Sequence, residues 1–227
     1  MNKKHTFVYL DETDLTANQI MITQRSYREN AQSYAMDYER NMEVNGTVIY
    51  KNLVPFLNQF ENNKCVGTIL FAGCGSCRDL QFCENSGFKC SGIDTSEELL
   101  KIAKEQGVKS ELDTVDIFKY NFVPRSLGGI YCDTALTHTT RNNLSSGLRT
   151  FHKALKKNGA LFMEFRRGNG KIYKTLDSFG ERYYITYPLN DAKKIIRSAG
   201  FKINSLKVDQ HPISGRPDFI AIIATKI

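Results

Sequence analysis

Two glycines and one aspartate carry the first chemical signal in this chain. Residues Gly67–Leu80 read GTILFAGCGSCRDL, with an apolar run, Thr68–Ala72, leading into Gly73-Cys74-Gly75 and a helical pattern from Arg78. Glycine lets the backbone turn sharply and lets a ligand approach without a Cβ in the way. A second apolar stretch, Lys89–Ile93, ends at Asp94, twenty-one residues after Gly73. A carboxylate at that distance, at the tip of the next strand, suits a ribose diol, and the strand–turn–helix before it suits the rest of a nucleoside cofactor.

Other side chains offer other chemistry. A neutral imidazole such as His138 can take a proton from a hydroxyl or an ammonium. Arg141, Arg166 and Arg167 present donor forks that fit a carboxylate or phosphate. Tyr183, Tyr184 and Tyr187 fit an aromatic wall or an ammonium cage, or plain strand packing. Cys74 and Cys77 have the spacing of a redox or zinc pair. They sit inside the glycine turn, however, and neither a second such pair nor a histidine pair completes a zinc site. Cys65, Cys83, Cys90 and Cys132 fall on apolar segments and read as structural thiols in a reducing, cytoplasmic setting.

These residues need a frame. Strands are expected at Thr68–Ala72, Lys89–Ile93, Glu111–Val115, Gly129–Asp133 and Ala160–Phe165, with helices at Arg78–Asn85, Ser96–Gln106 and Asn143–Lys156 between them. Such alternation implies a parallel sheet with right-handed crossovers. A helix over Leu189–Ala199 and strands at Ile203–Gln210 and Phe219–Thr225 end the chain. Upstream, Tyr27, Ala31, Tyr34, Ala35, Tyr38 and Met42 share one face of a helix over Gln24–Glu43, which Asn45-Gly46 stops. A second helix is expected over Val48–Phe60. Residues 1–17 read as a loose arm, and Gly168 to Arg182 as an irregular loop over the site. With 1–62 as arm and helical cover and 63–227 as core, the chain reads as one domain.

Composition fits this. The 227 residues can bury a substantial core, and 41% hydrophobic with 24% charged is ordinary for a globular protein. No run approaches the roughly 20 apolar residues of a membrane span, and Met1-Asn2-Lys3-Lys4-His5 has no apolar stretch behind it, so neither a secretory signal nor a membrane is expected. The net charge of +7 is spread along the chain rather than gathered into a tail. It reads as a solvated basic surface first and a nucleic-acid footprint second.

Taken together, the ordered motifs resemble the class I S-adenosylmethionine-dependent methyltransferases of the small-molecule type. Asp116-Ile117 after the third strand, Ala135-Leu136-Thr137-His138 after the fourth, and Phe151–Leu161 spanning a helix, a turn and the fifth strand match that family. Tyr27-x-x-x-Ala31-x-x-Tyr34 is similar to its N-terminal cover. The resemblance implies a Rossmann-like α/β fold: a seven-stranded, mostly parallel sheet with helices on both faces. It implies S-adenosylmethionine as cofactor, with Gly73, Cys74 and Gly75 beside its methionine half and Asp94 and Thr95 at the ribose. Asp116 and Ile117 would lie at the adenine, Asp133 at the amino end or at a cationic acceptor, and Tyr27 and Tyr34 closing over it. His138 and Arg166 are the candidates on the acceptor side, as base or orienting group and as anchor for an anion. The acceptor would be a small polar metabolite methylated on nitrogen or oxygen. A tRNA or rRNA substrate is the alternative, and so is a non-catalytic cofactor-binding protein. Two positions depart from the family: an acid usually stands at Phe71 and a third glycine at Cys77.

Displacement at a methyl group needs no Lewis acid, and no ligand set is complete in the sequence. Methyl transfer should therefore survive exhaustive chelation. Loss of activity with chelator and its return with zinc would bring Cys74 and Cys77 back as ligands.

Overall fold

The structure, a computed structural model, describes residues 6–40, 43–44, 47–48, 50–211 and 215–227. The chain begins with β1 (Thr6–Tyr9), α1 (Ala17–Glu29), α2 (Ala31–Arg40), the short pair β2 (Glu43–Val44) and β3 (Thr47–Val48), and α3 (Leu53–Asn62). Next come β4 (Thr68–Ala72), α4 (Arg78–Asn85), β5 (Cys90–Asp94), α5 (Glu97–Glu105), β6 (Glu111–Thr114), β7 (Leu127–Cys132), a 3-10 turn (Ala135–His138) and α6 (Arg141–Ala154). It ends with β8 (Leu155–Arg167), β9 (Ile172–Asp177), β10 (Gly180–Tyr187), α7 (Leu189–Ser198), β11 (Phe201–Asp209) and β12 (Phe219–Lys226).

The expected seven strands are all present. β6, β5, β4, β7 and β8 lie side by side and parallel. β12 runs antiparallel against β8, and β11 against β12. The fold class is therefore the expected α/β one, but the sheet has ten strands rather than seven. β10 joins the last two residues of β8, Thr186 beside Arg166 and Tyr187 beside Arg167. β9 then pairs antiparallel with β10, and β1 with β9.

These three strands correct two expectations. Gly168 to Arg182 is not an irregular loop, and Thr6–Tyr9 is not a loose arm. Period-two apolarity fails as a signal there because the inward face of β9 carries Tyr173, Thr175 and Asp177, all buried although two are polar. The fifth core strand also starts early, at Leu155. Its register against β7 jumps from Leu127–Leu155 to Gly129–Ala160, so the Asn-Gly turn bulges out of the strand, with Asn158 left-handed at φ 61°.

The N-terminal cover is two helices, not one. Asn30 breaks the pattern: its backbone N–H and its Nδ2 both reach back to the Ser26 carbonyl, and α2 restarts at Ala31. Thr16 starts α1 with a capping box, its hydroxyl accepting from Gln19 N at 3.3 Å while Gln19 Oε1 accepts from Thr16 N at 2.9 Å. Met42 and Asn45-Gly46, expected to end this cover, lie outside the described residues. α3 begins at Leu53, later than the expected Val48.

Helices cover both faces of the sheet. α6 and α7 bury Leu144, Leu148, Phe151, Ala192 and Ile196 against one face. α3, α4 and α5 bury Leu53, Phe56, Leu80, Leu100 and Ala103 against the other. Ser96 caps α5 as expected, accepting from Leu99 N at 3.2 Å.

α1 packs against β10, with Thr23 Oγ1 accepting from Tyr183 N and Ser26 Oγ donating to the Glu181 carbonyl. Gly180 starts β10 at φ +87°, and a Cβ there would lie 2.7 Å from Ser26 Oγ. Gly180→Ala should lower the unfolding free energy by about 2 kcal/mol, from left-handed strain plus the clash. Urea melts of the two proteins measure it.

Candidate active site

The carboxyl ends of β4, β5, β6 and β7 open on one cavity of about 180 Å³. That is more than ten times the roughly 10–15 Å³ a single water needs, so it is room for an organic ligand. Gly73, Gly75, Asp94, Thr95, Asp116, Ile117 and Asp133 line it from the sheet side, and Tyr27, Tyr34 and His138 from the cover side. Ten of the twelve site residues expected from sequence thus meet in one place. Leu99, Val115 and Phe118 add apolar walls.

Cys74 does not line the cavity. Its Sγ lies under the turn, 2.9 Å from where a Cβ on Gly92 would stand. Gly92 leaves room for that thiol, and burial raises the pKa of Cys74. Arg166 is the other exception. It sits at the end of β8 with its guanidinium over the rings of Phe219, at 4.1 Å, and Tyr184, at 5.0 Å.

Asp94 organises the turn. Its Oδ2 accepts from Gly75 N and its Oδ1 from Ser96 N, each at 2.9 Å, and the Thr95 amide also points to it. Burial nonetheless raises its pKa. A carboxylate has about four acceptor sites, so about one remains for a ligand hydroxyl. Asp116 Oδ1 takes Phe118 N, an Asx turn that leaves the carboxylate at the cavity wall.

The two departures are accommodated within the fold. Phe71 is buried and packs on Tyr131, with ring centroids 5.3 Å apart. Cys77 takes the left-handed conformation of the missing glycine, at φ 63°, and its N–H closes the turn onto the Cys74 carbonyl at 2.9 Å.

His138 joins the sheet side to the cover. Its Nδ1 lies 2.7 Å from the Tyr183 carbonyl, which can only accept, so Nδ1 carries the proton. Nε2 therefore offers a lone pair, and it receives the Tyr27 hydroxyl at 3.1 Å. Tyr34 stands edge-on to Tyr27 at 5.0 Å, and Tyr184 lies 4.3 Å from the imidazole. Enclosure pushes the His138 pKa down to about 3, and the Arg182 and Arg166 charges add to this.

Of the two readings of Tyr183, Tyr184 and Tyr187, one wall or strand packing, the structure has packing. Successive residues of β10 point to opposite faces. Tyr184 faces His138, whereas Tyr187 packs on Phe165 and the Tyr183 hydroxyl bonds Glu181. Arg141 braces the chain instead of the site: it donates to the Thr13 and Gly170 carbonyls. Arg167 pairs with Asp218 at 3.5 Å.

Sequence reasoning missed Arg182, Asp177 and Phe179, all within the stretch read as a loop. It also missed Glu164, buried at the end of β8, where it accepts from Asn52 Nδ2 at 3.0 Å. Burial, and then the nearby Asp133, push the Glu164 pKa well up. A lone polar residue in a long apolar strand was the only signal available for it.

Comparison with known proteins agrees with this geometry. Residues 69–159 match a family described as a methyltransferase domain. No curated protein matches the chain by sequence. Among solved structures, the chain is similar to the Burkholderia thailandensis 1,6-didemethyltoxoflavin-N1-methyltransferase bound to 1,6-didemethyltoxoflavin and S-adenosylhomocysteine. That match has a TM-score of 0.71 and 14% identity, and covers 100% of this chain and 97% of that one. A Haemonchus contortus phosphoethanolamine N-methyltransferase 2, bound to phosphomonomethylethanolamine and S-adenosylhomocysteine, matches at TM-score 0.67 and 15% identity over 93% of this chain and 60% of that one. An S-adenosylmethionine-dependent methyltransferase from Mesorhizobium loti matches at TM-score 0.57 and 18% identity over 71% and 92%.

The His138 pKa has a consequence for stability. Above the ordinary value of 6.5 the imidazole is neutral both folded and unfolded. Below 6.5 the unfolded chain binds a proton that the folded chain refuses until about pH 3, so stability is lost as pH falls. The slope from this group is about 1 kcal/mol per pH unit. His138→Gln should flatten the loss between pH 6.5 and about 5, as measured by urea melts across that range.

Proposed function

We propose that this chain, a methyltransferase by its domain over 69–159 and by its fold, transfers a methyl group from S-adenosylmethionine to nitrogen or oxygen of a small polar metabolite. One observation carries the reading: a single cavity brings together Gly73, Gly75, Asp94, Asp116 and Asp133 with Tyr27, Tyr34 and His138. The donor set fits the cofactor. Asp94 retains acceptor capacity for a ribose hydroxyl beside Thr95, and Asp116 and Ile117 stand ready for an adenine edge. Gly73 and Gly75 bring bare backbone to the methionine half, and Asp133 brings a carboxylate to its amino end. S-adenosylmethionine, when bound, supplies a methyl group on a positively charged sulfur.

The chain's own residues then supply position. In-line displacement disperses the sulfonium charge, so holding the acceptor in line contributes most. Tyr27 and Tyr34, on the helical cover, close the cavity from above. An acceptor N–H or O–H that displaces the Tyr27 hydroxyl from Nε2 of His138 meets an oriented lone pair. The low basicity of that imidazole favours orienting the acceptor over storing its proton at neutral pH.

The cover of α1 and α2 supports a small acceptor over a nucleic acid, and two of the similar structures are small-molecule N-methyltransferases by their names. We read residues 1–227 as one unit, because β1 pairs with β9 and α1 packs on β10. No helix among the described residues is long and apolar enough to cross a membrane. With all six cysteines free, a reducing, cytoplasmic setting is our reading.

Calorimetry and single-turnover rates test this. Asp94→Ala should weaken S-adenosylmethionine binding by about 1.5–3 kcal/mol. His138→Ala should leave that affinity intact and slow methyl transfer, by roughly 10²–10⁴-fold if it acts as base and by less if it only orients. Unchanged cofactor affinity in a folded Asp94→Ala protein would sink the cofactor assignment.

A further inference from the structure

The strand pairings put one set of side chains on one face of the sheet extension. Residues directly opposite across a pair share a face, as do residues two apart in a strand. Arg166 lies opposite Thr186 and Phe219, Tyr184 opposite Tyr173, and Arg182 opposite Thr175. Arg166, Tyr184, Arg182, Tyr173, Thr175 and Asp177 therefore look the same way. Arg216 reaches this face from the segment before β12, and its Nη2 lies 2.8 Å from Asp177 Oδ2. Arg182 Nη2 meets that same oxygen at 2.6 Å. Two guanidiniums thus share one carboxylate oxygen, and Arg166 stands apart from that pair. The next acid beside Arg166 on its strand, Glu164, is held toward its neutral form by burial and by Asp133.

One donor of each guanidinium is also unused. Nε of Arg166, Arg182 and Arg216, the Tyr173 hydroxyl and Thr175 Oγ1 are all buried, with no hydrogen-bond partner among the described residues. Aromatic rings cover the flat faces of the guanidiniums: Phe219 and Tyr184 for Arg166, Phe179 and Tyr27 for Arg182. Stacking of this kind satisfies the π face and leaves the in-plane N–H groups for an acceptor. Two of the arginines reach the site through one aromatic ring each: Tyr184 contacts both Arg166 and His138, and Arg182 lies 5.5 Å from the Tyr27 ring.

We propose that this face seats an anionic group, a carboxylate or a phosphate, on the methyl acceptor, held by Arg166 and Arg182. The proposal rests on the methyltransferase reading for what carries the anion. It narrows the acceptor to small molecules with an anion at one end and a nucleophilic nitrogen or oxygen at the other. Bidentate N–H donation from Arg166 and Arg182 would fix the first end and leave the second beside His138 and Tyr27. Asp177 and Arg216 position Arg182.

Inorganic phosphate and acetate are the probes, titrated into the full chain with and without S-adenosylhomocysteine. With arginine-labelled protein, the Nε–H resonances of Arg166 and Arg182 should shift on titration. The tighter of the two probes names the anion. Arg166→Met and Arg182→Lys should weaken the preferred probe by roughly tenfold or more, the loss of a charge-assisted hydrogen bond, with S-adenosylhomocysteine affinity unchanged. If neither probe moves these resonances, or if both variants bind it as the wild type does, the anion seat is wrong. Should Arg182→Lys fail to fold, Arg166→Met decides alone, since Arg166 lies outside the Asp177 pair. Anion binding without S-adenosylhomocysteine binding would overturn the proposed function and keep the seat. The reverse result would do the opposite.

Discussion

One imidazole holds together the three parts of this molecule that make its cavity. His138 belongs to the turn after β7, which the parallel sheet positions. Through Nδ1 it ties that turn to the backbone of β10, and through Nε2 to Tyr27 on the cover helix. The bond to a carbonyl leaves only one tautomer, so the ring cannot rotate to present its other nitrogen without breaking its hold on β10. Cover, sheet end and antiparallel extension therefore share one constraint. The enclosure that keeps the ring neutral is the same enclosure that makes its orientation definite.

The parallel core was legible because its signals are local. β4, α4 and the glycine turn sit where the apolar run and Gly73-x-Gly75 imply, and Ser96 caps α5 as its type predicts. Cavity residues at strand ends followed from those elements, because their places are set by where a strand stops. Cys74 shows the limit: it falls in the glycine turn as its place in the sequence implies, but its side chain turns down into the space left by Gly92. Only a tertiary neighbour decides that, not a spacing.

What stayed hidden was the wall made of β1, β9 and β10. Its inward face is built from Thr175, Asp177 and Arg182, residues that read as loop when polarity is taken for exposure. Arg182 and Asp177 stay inside as a pair, and such pairing has no sequence signature. The cover was similarly half legible. Its helical face was visible, but the break at Asn30 depends on a side chain competing for the Ser26 carbonyl.

The long-range pairing of β1 with β9 sets an order of events for a chain made from its N-terminus. Thr6 to Tyr9 must wait for Tyr173 to Leu176 before they have a partner, and α1 must wait for Tyr183. Closing so large a loop is entropically costly and slow compared with the βα units, whose contacts are near in sequence. The βα units of the parallel core can thus assemble while the wall of β1, β9 and β10 and its helical cover are still unpaired. During synthesis β1 and α1 are secured only once β9 and β10 have been made.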